Sequence, residues 1–470
     1  MKSLFTTKPE FKEVDPFKIQ YNLGALLDIP TGKYVRGRKG ENILNAGLPL
    51  LTAVTGKGNT FKSTISHYMI LSAASKVAES DILPYINTYD TEMNIQIERL
   101  KDFVKTFPAF RNIDLFKEGV WSVTDKSHHT GNEWYKLLKE FLKNEKIKNN
   151  KKYTFETPFK GIDDKPIYTV FPTFGQIDSI SEFETADIEE IQDKAELGDS
   201  VGNTIHMRLG LVKTRLLMEL PTICNQAAHY MVLTAHVGTE IPMQQGPYAI
   251  PTKKLQHMKV GEKIKGVSDK FFFLPNIVWQ TVNASTLINQ NTKGPEYPKT
   301  REDKDDNPHD LNIVSLKLLR NKSGPSGVTI DLIVSQRDGV LPSLSEFHFI
   351  KENGRFGLEG NNVHYNLILY PELKLSRTTI RELIDNDPLL RRAIKITADL
   401  LQIKMFYRNL EFEIPPIEEF YAKLNKEYGM KKLLETRDYW TFNQYDHKVP
   451  FLSTFDLLEM YYGKYKPYWL

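Results

Sequence analysis

TGKGNTFKST, residues 55–64, is the stretch on which the reading of the chain turns. A phosphate-binding loop is written Gly, four free residues, Gly, Lys, then Ser or Thr. Gly56, Lys62 and Ser63 fall in place, and Phe61 stands where the second glycine belongs. In such a loop backbone N–H groups and the positive end of a helix cradle phosphate. Lys62 would neutralise the β and γ phosphates, and the Ser63 hydroxyl would ligate Mg2+. The second glycine allows an unusual backbone path, so Phe61 fits only if its backbone angles differ or the strain is tolerated. The nucleotide-binding set would be Gly56, Lys57, Gly58, Asn59, Thr60, Phe61, Lys62, Ser63 and Thr64. The alternative is a turn rich in glycine and lysine that matches by chance.

The flanks favour a loop between a strand and a helix. LPLLTAVTG (48–56) is a short apolar run ending in glycine, as a buried parallel strand would be. STISHYMILSAASKVAES follows with Ile65, Met69, Ala73 and Val77 on one helical face. PYINTYDTE (84–92) reads as the next strand and ends in acids. Further on, WYKLLKEFLKNEKIKNNKK reads as an amphipathic helix running into a basic loop. YTVFPTFGQIDS (168–179) reads as a strand interrupted by Pro172, and residues 206–230 read as a long helix. MVLTAH (231–236) and the stretches 270–282, 311–320 and 327–335 read as strands. Alternating strands and helices predict an α/β fold with a largely parallel sheet, whose ligands bind at the C-terminal ends of the strands.

Bulk properties set outer bounds. The chain has 470 residues, 40% hydrophobic and 26% charged, so it is ordinary globular composition with room for about two or three domains. No apolar run is long enough for a membrane helix, and the polar N-terminus does not resemble a secretory signal. Cys224 is the only cysteine, which excludes an intrachain disulfide and fits a reducing, cytoplasmic setting. The net charge of +3 neither requires nor excludes nucleic acid, so any such partner must be argued from local clusters.

The suggestive side chains sit at predicted strand ends. Asp178 follows an apolar strand, as a carboxylate holding Mg2+ would. Glu92 ends the strand after the loop and helix, where it could polarise an attacking water. His236 ends another strand and could report the γ-phosphate state. Singly, each has an ordinary reading as a helix cap, a solvated acid or a structurally satisfied histidine. Together and in this order they make a constellation.

That order, Gly56–Ser63, YDTE (89–92), QIDS (176–179) and LTAH (233–236), resembles the RecA-type ATPase core shared by RecA-type recombinases and DnaB-type hexameric helicases. The resemblance spans about residues 40–340. FKS (61–63) is similar to the phosphate loop of UvsX-like phage recombinases, where a Phe also precedes the Lys. By this resemblance the fold is α/β, a RecA-like P-loop NTPase core with a mostly parallel sheet flanked by helices, plus a smaller C-terminal α+β region. Glu92 is then the catalytic base, Asp178 the metal-side acid with Ser63, and His236 the sensor coupling ATP to DNA. LRNKSGPSG (319–327) is similar to the DnaB-family segment whose two cations reach the neighbouring subunit's γ-phosphate, and Arg320 and Lys322 match them. The other reading of SGPSG is a hairpin turn with solvated charges. Lys253, Lys254, Lys259, Lys263 and Lys265 lie where the family's second DNA-binding loop would be, and spaced lysines suit phosphate contact. The alternative is a solvated loop.

The domain expectation is an N-terminal segment or oligomerisation arm (1–45), an ATPase core (46–345) with an insertion near 121–166, and a C-terminal domain (346–470). ATP and Mg2+ are the implied cofactors. The implied partners are single-stranded and possibly double-stranded DNA and further copies of the chain in a filament or hexameric ring, with no membrane; the setting is a bacterial host cytoplasm if phage-encoded. About 45 residues precede the core, too few for the usual helicase N-terminal domain, which favours a recombinase. Two departures keep a replicative helicase open: the chain ends YYGKYKPYWL rather than in an acidic tail, and RNKSGPSG leans towards helicases. A scaffold that binds nucleotide and hydrolyses it poorly is a third reading. Lys62→Ala is expected to abolish ATP turnover while the fold survives; turnover retained in the variant would remove the loop assignment.

Overall fold

The computed structural model describes residues 17–186, 188, 190, 202–239, 255–300, 307–361, 363–407 and 410–470. Its centre is one large sheet, built in chain order from β1 (Leu51–Gly56), β2 (Ile86–Asp90), β3 (Trp121–Asp125), β4 (Thr173–Asp178) and β5 (His229–Thr239). It continues with β6 (Glu262–Ile264), β7 (Ile277–Thr286), β8 (Leu311–Asn321), β9 (Thr329–Ser335) and β10 (Gly339–Val340). Across the sheet the order is β10-β9-β8-β7-β1-β5-β4-β2-β3, with β6 paired to the outer end of β5. The strands from β7 to β3 along that order all run parallel. β8, β9 and β10 add an antiparallel edge. This is the α/β, mostly parallel architecture that the alternation of elements predicts.

Parallel strands covered on both faces read as continuous apolar runs, and β1 is buried at every position. Successive residues feed two different cores. Val54, Val232, Phe174 and Trp279 face the side of α1 (Lys62–Ala78), with Ile65, Met69, Ala73 and Val77. Ala53, Leu233, Ile177 and Val278 face the opposite side, against α3 (Gly131–Phe141) and α4 (Gly202–Ala227). The second helix, α2 (Ile97–Lys105), buries Leu100, Phe103 and Val104 on the α1 side.

Prolines move three expected boundaries. Residues 168–179 are two elements, not one interrupted strand. Pro166–Val170 forms a separate hairpin with Thr154–Lys160, and β4 begins at Thr173, beyond Pro172, which has no N–H for a ladder. Within 270–282, Asp269–Phe272 is a 3-10 turn, and β7 begins only at Ile277, after Pro275. Residues 375–403, where the helical spacing of Leu383, Leu390, Ile394 and Leu401 predicts a small helical domain, are the end of a strand (Tyr370–Ser376) and two helices, α6 (Ile380–Asn386) and α7 (Pro388–Phe406). Asp387 caps α7 by accepting from the N–H groups of Leu389 and Leu390. This C-terminal region also carries a three-stranded antiparallel sheet, so it is α+β as expected.

Residues 17–45 pack on this chain's own core through Tyr21, Leu23, Leu26 and Leu27; residues 1–16 lie outside the described residues. Residues 121–125 are a strand of the central sheet, and residue 346 falls within α5 (Pro342–Glu352). Trp440 fastens three segments together. Its ring stacks on Tyr21 at 5.0 Å and meets Phe159 edge-on at 5.1 Å, and its indole N–H donates to the Gln20 carbonyl at 3.1 Å. Truncating such a buried aromatic removes contacts to all three at once. Trp440→Ala is expected to lower unfolding free energy by about 3–5 kcal/mol in urea titration. A loss below about 1 kcal/mol would show that the C-terminal region adds little to core stability.

Candidate functional site

Register brings the expected residues to one edge of the sheet. Gly56 is level with His236 on one side and Thr281 on the other, and Asp178 is level with Asp90. Gly56, Asp90 and Asp178 end β1, β2 and β4, where α/β sheets bind ligands, whereas β5 runs past His236 to Thr239 instead of ending there as expected.

Phe61 answers the question of the missing glycine. It is the N-cap of α1 with φ 62° and ψ 23°, the left-handed conformation a glycine would take freely. That conformation costs a non-glycine residue about 1–2 kcal/mol. The Phe61 ring offsets part of this by packing against the core on the α1 side. Gly56 has a separate reason: a Cβ there would meet the Thr281 hydroxyl at 1.8 Å. The Thr60 hydroxyl donates to Lys57 O at 2.7 Å and lies 2.6 Å from that of Thr281, which ties the loop to β7. Beyond Phe61 the first turn of α1 offers backbone N–H groups with no intrahelical partner, at the positive end of the helix dipole.

Lys62 is buried, and its ammonium donates to Lys57 O at 2.9 Å. Burial pulls its pKa down, while the charges of Asp178 and Glu92 pull it back up. Asp178 is buried in turn, which pushes its carboxyl pKa up; the hydroxyls of Thr234 and Ser63 oppose that shift by hydrogen bonding. Thr234 donates to Oδ1, and Oδ2 is buried with no hydrogen-bond partner. A buried carboxylate oxygen left unpaired beside a serine hydroxyl suits a divalent cation, so Asp178 and Ser63 fit the implied Mg2+. No cluster of three or more His, Cys, Asp or Glu side chains forms another metal site among the described residues.

Glu92 projects from a turn that Asp90 builds. The Asp90 carboxylate accepts N–H bonds from Glu92 at 3.0 Å and from Asn94 and Ile95, each at 2.8 Å. Glu92 Oε1 lies 2.6 Å from His236 Nε2, and Asn94 donates to its Oε2 at 3.1 Å. The His236 hydrogen bond, against an opposing effect of burial, holds the Glu92 carboxyl down at about 2. The strand ends are cross-braced by Thr91. Its hydroxyl donates to Ser179 O at 2.8 Å and accepts the Ser179 N–H at 2.7 Å.

The structure therefore assembles Lys62, Ser63, Asp178, Glu92 and His236 in one place. Arg320 and Lys322 are elsewhere. Arg320 pairs with Val278, level with Ala53, whereas the loop begins at Gly56 level with Thr281. The separation along the sheet is about 10 Å at 3.3 Å per residue. Lys322 lies past the end of β8 and donates to Leu274 O at 2.8 Å. Arg320 Nε is buried without a hydrogen-bond partner, and neither cation pairs with a carboxylate among the described residues. Lys259, Lys263 and Lys265 are exposed, and Lys253 and Lys254 lie outside the described residues.

Sequence reasoning missed Thr234, Thr91, Ser181 and Glu262. Thr234 had a signal, a polar residue inside the apolar run MVLTAH two positions before His236 and so on its face. The other three depend on contacts across the sheet that no local pattern encodes.

No family model matches the chain, and no curated protein matches it in sequence. Among solved structures the chain is similar to the crystal structure of the RadB recombinase, at 12% identity and a TM-score of 0.33, over 63% of this chain and 92% of that chain. At that level of likeness nothing about activity passes from one chain to the other.

A carboxylate whose pKa falls on folding contributes stability that is complete above its unfolded value, here near 4.5, and lost as pH falls towards about 2. His236→Ala removes the main cause of that depression. Its urea midpoint is expected to fall less steeply than that of the wild type between about pH 5 and pH 3. Equal slopes would show that the 2.6 Å contact does not hold the Glu92 charge.

Proposed function

We propose that the chain is a RecA-like, Mg2+-dependent and DNA-dependent ATPase that assembles on single-stranded DNA and promotes homologous pairing. One observation carries this reading: the Glu92–His236 contact at 2.6 Å, beside Lys62 and Asp178, in a site that begins at a glycine loop and a helix N-terminus. Neither a surface turn nor a helix cap requires a carboxylate, a histidine, a lysine and a buried acid from separate elements to converge.

Each side chain then has a task. The loop 56–64 binds phosphate through backbone N–H groups and Lys62. Ser63 and Asp178 hold Mg2+, which when bound neutralises phosphate charge. Glu92 takes the proton of the attacking water. While His236 occupies Oε1, that oxygen is not available to water, so the contact is a brake. His236 stands on β5, which leads to the segment carrying Lys259, Lys263 and Lys265. DNA on those lysines would draw His236 away and free the base. The exposed lysines supply sequence-independent affinity for a phosphate backbone.

Arg320 and Lys322 support assembly. They lie too far along the sheet to serve their own loop, and they are cations without carboxylate partners among the described residues. A second copy would present them to the triphosphate of its neighbour, where a cation stabilises transition-state charge. Copies would thus join with ATP at their boundaries, as a filament or a ring.

The test is ATP turnover with and without single-stranded DNA. Wild-type protein is expected to be stimulated by DNA. Arg320→Ala should leave isolated subunits able to bind ATP and lose the stimulated rate by about 10²–10³-fold. A stimulated rate unchanged in the variant would rule out the role across the subunit boundary.

A further inference from the structure

Lys57 stands on the phosphate loop, but its ammonium is drawn to one side. Nζ lies 3.6 Å from Glu262 Oε1, and Gln280 Nε2 donates to Oε2 of the same carboxylate at 2.7 Å. Glu262 opens β6, the strand that follows Lys259, and is level there with Thr239 of β5. Gln280 belongs to β7, level with Thr55. A single carboxylate thus ties the lysine-bearing segment both to the loop and to the strand beside it.

The rest of this junction is firmly bolted. The Ser181 hydroxyl donates to Lys265 O at 2.9 Å and accepts the N–H of His236 at 3.0 Å. Lys213 Nζ donates to Ser181 O at 2.6 Å and to Gly266 O at 2.8 Å. The Lys57–Glu262 pair is the loose member. The lysine side chain is 58% exposed, the carboxylate only 13%, and the separation exceeds a hydrogen bond. A long, partly exposed pair of this kind holds only weakly. A triphosphate carries more charge than a carboxylate, so Lys57 can change partners at little cost.

We propose that Glu262 is a positioning residue for the nucleotide site: it holds Lys57 aside and releases it to the phosphates, linking nucleotide binding to the segment of Lys259, Lys263 and Lys265. This rests on the reading of residues 56–64 as a nucleoside triphosphate site. The linkage is reciprocal, so a polyanion on the lysines and a nucleotide on the loop change each other's affinity by the same factor.

Glu262→Gln removes the charge and keeps an oxygen for Gln280. A fluorescent ATP analogue with Mg2+ would be titrated into wild type, Glu262→Gln, Lys57→Gln and the double variant, with and without a single-stranded oligonucleotide. Lys57 is exposed, so its variant keeps the test open even if Glu262→Gln folds poorly. Glu262→Gln is expected to bind about two- to five-fold more tightly without oligonucleotide, and the oligonucleotide effect should shrink. In the Lys57→Gln background the Glu262 change should have no effect. Equal affinities of wild type and Glu262→Gln, or the same gain when Lys57 is already replaced, would overturn the proposal. Wild-type protein that binds no analogue would overturn the nucleotide reading itself.

Discussion

The hydrogen bond between His236 and Glu92 is the interaction on which the rest of the site depends. His236 lies within β5 and Glu92 two residues past the end of β2, strands that are not neighbours: β4, with Asp178 at its end, lies between them. The bond can form only because three parallel strands hold a common register, with Asp90 level with Asp178 and Ile177 level with Leu233. Parallel pairing is fixed by burial on both faces, since a one-residue slip would send every apolar side chain to the wrong core. The two cores are therefore what hold the chemistry in place. A packing change in Ile177 or Leu233, which are level with each other across β4 and β5, would move Asp178 and His236 together.

The site also shows how charge is kept inside a folded chain. Lys62, Asp178 and Glu92 are each disfavoured by burial and each favoured by the others or by hydroxyl partners. The set is nearly self-sufficient, with one orphaned oxygen, Asp178 Oδ2. In the proposed function that oxygen faces Mg2+, and the loop N–H groups face phosphate. The site is connected outward through Ser181, Lys213 and Glu262 to the lysine-bearing segment. Occupancy at one place thus has a bonded path to the other.

Much of this was legible in the sequence because it is local. The strand, loop and helix around Lys62 show in apolar spacing, and Glu92, Asp178 and His236 show as polar residues closing apolar runs. Phe61 was legible as a problem but not as a solution, because a left-handed phenylalanine is tolerated only through the core that receives its ring. Three misplaced boundaries involve proline: Pro172 divides a strand, Pro275 delays one, and Pro388 divides a helix. Arg320 and Lys322 were legible as a pair of cations, and only the register shows that they cannot reach their own loop. Glu262 left no local trace, since its meaning comes entirely from Lys57 and Gln280 across the sheet.

The most direct measurement is electron cryo-microscopy of the protein with single-stranded DNA, Mg2+ and a non-hydrolysable ATP analogue. The account predicts an ordered assembly with phosphate density on residues 56–64, a cation between Ser63 and Asp178, and His236 withdrawn from Glu92. Arg320 and Lys322 of the adjacent copy should face that phosphate. Nucleotide density elsewhere on the chain, or an assembly in which Glu92 and His236 remain bonded beside bound nucleotide and DNA, would contradict it.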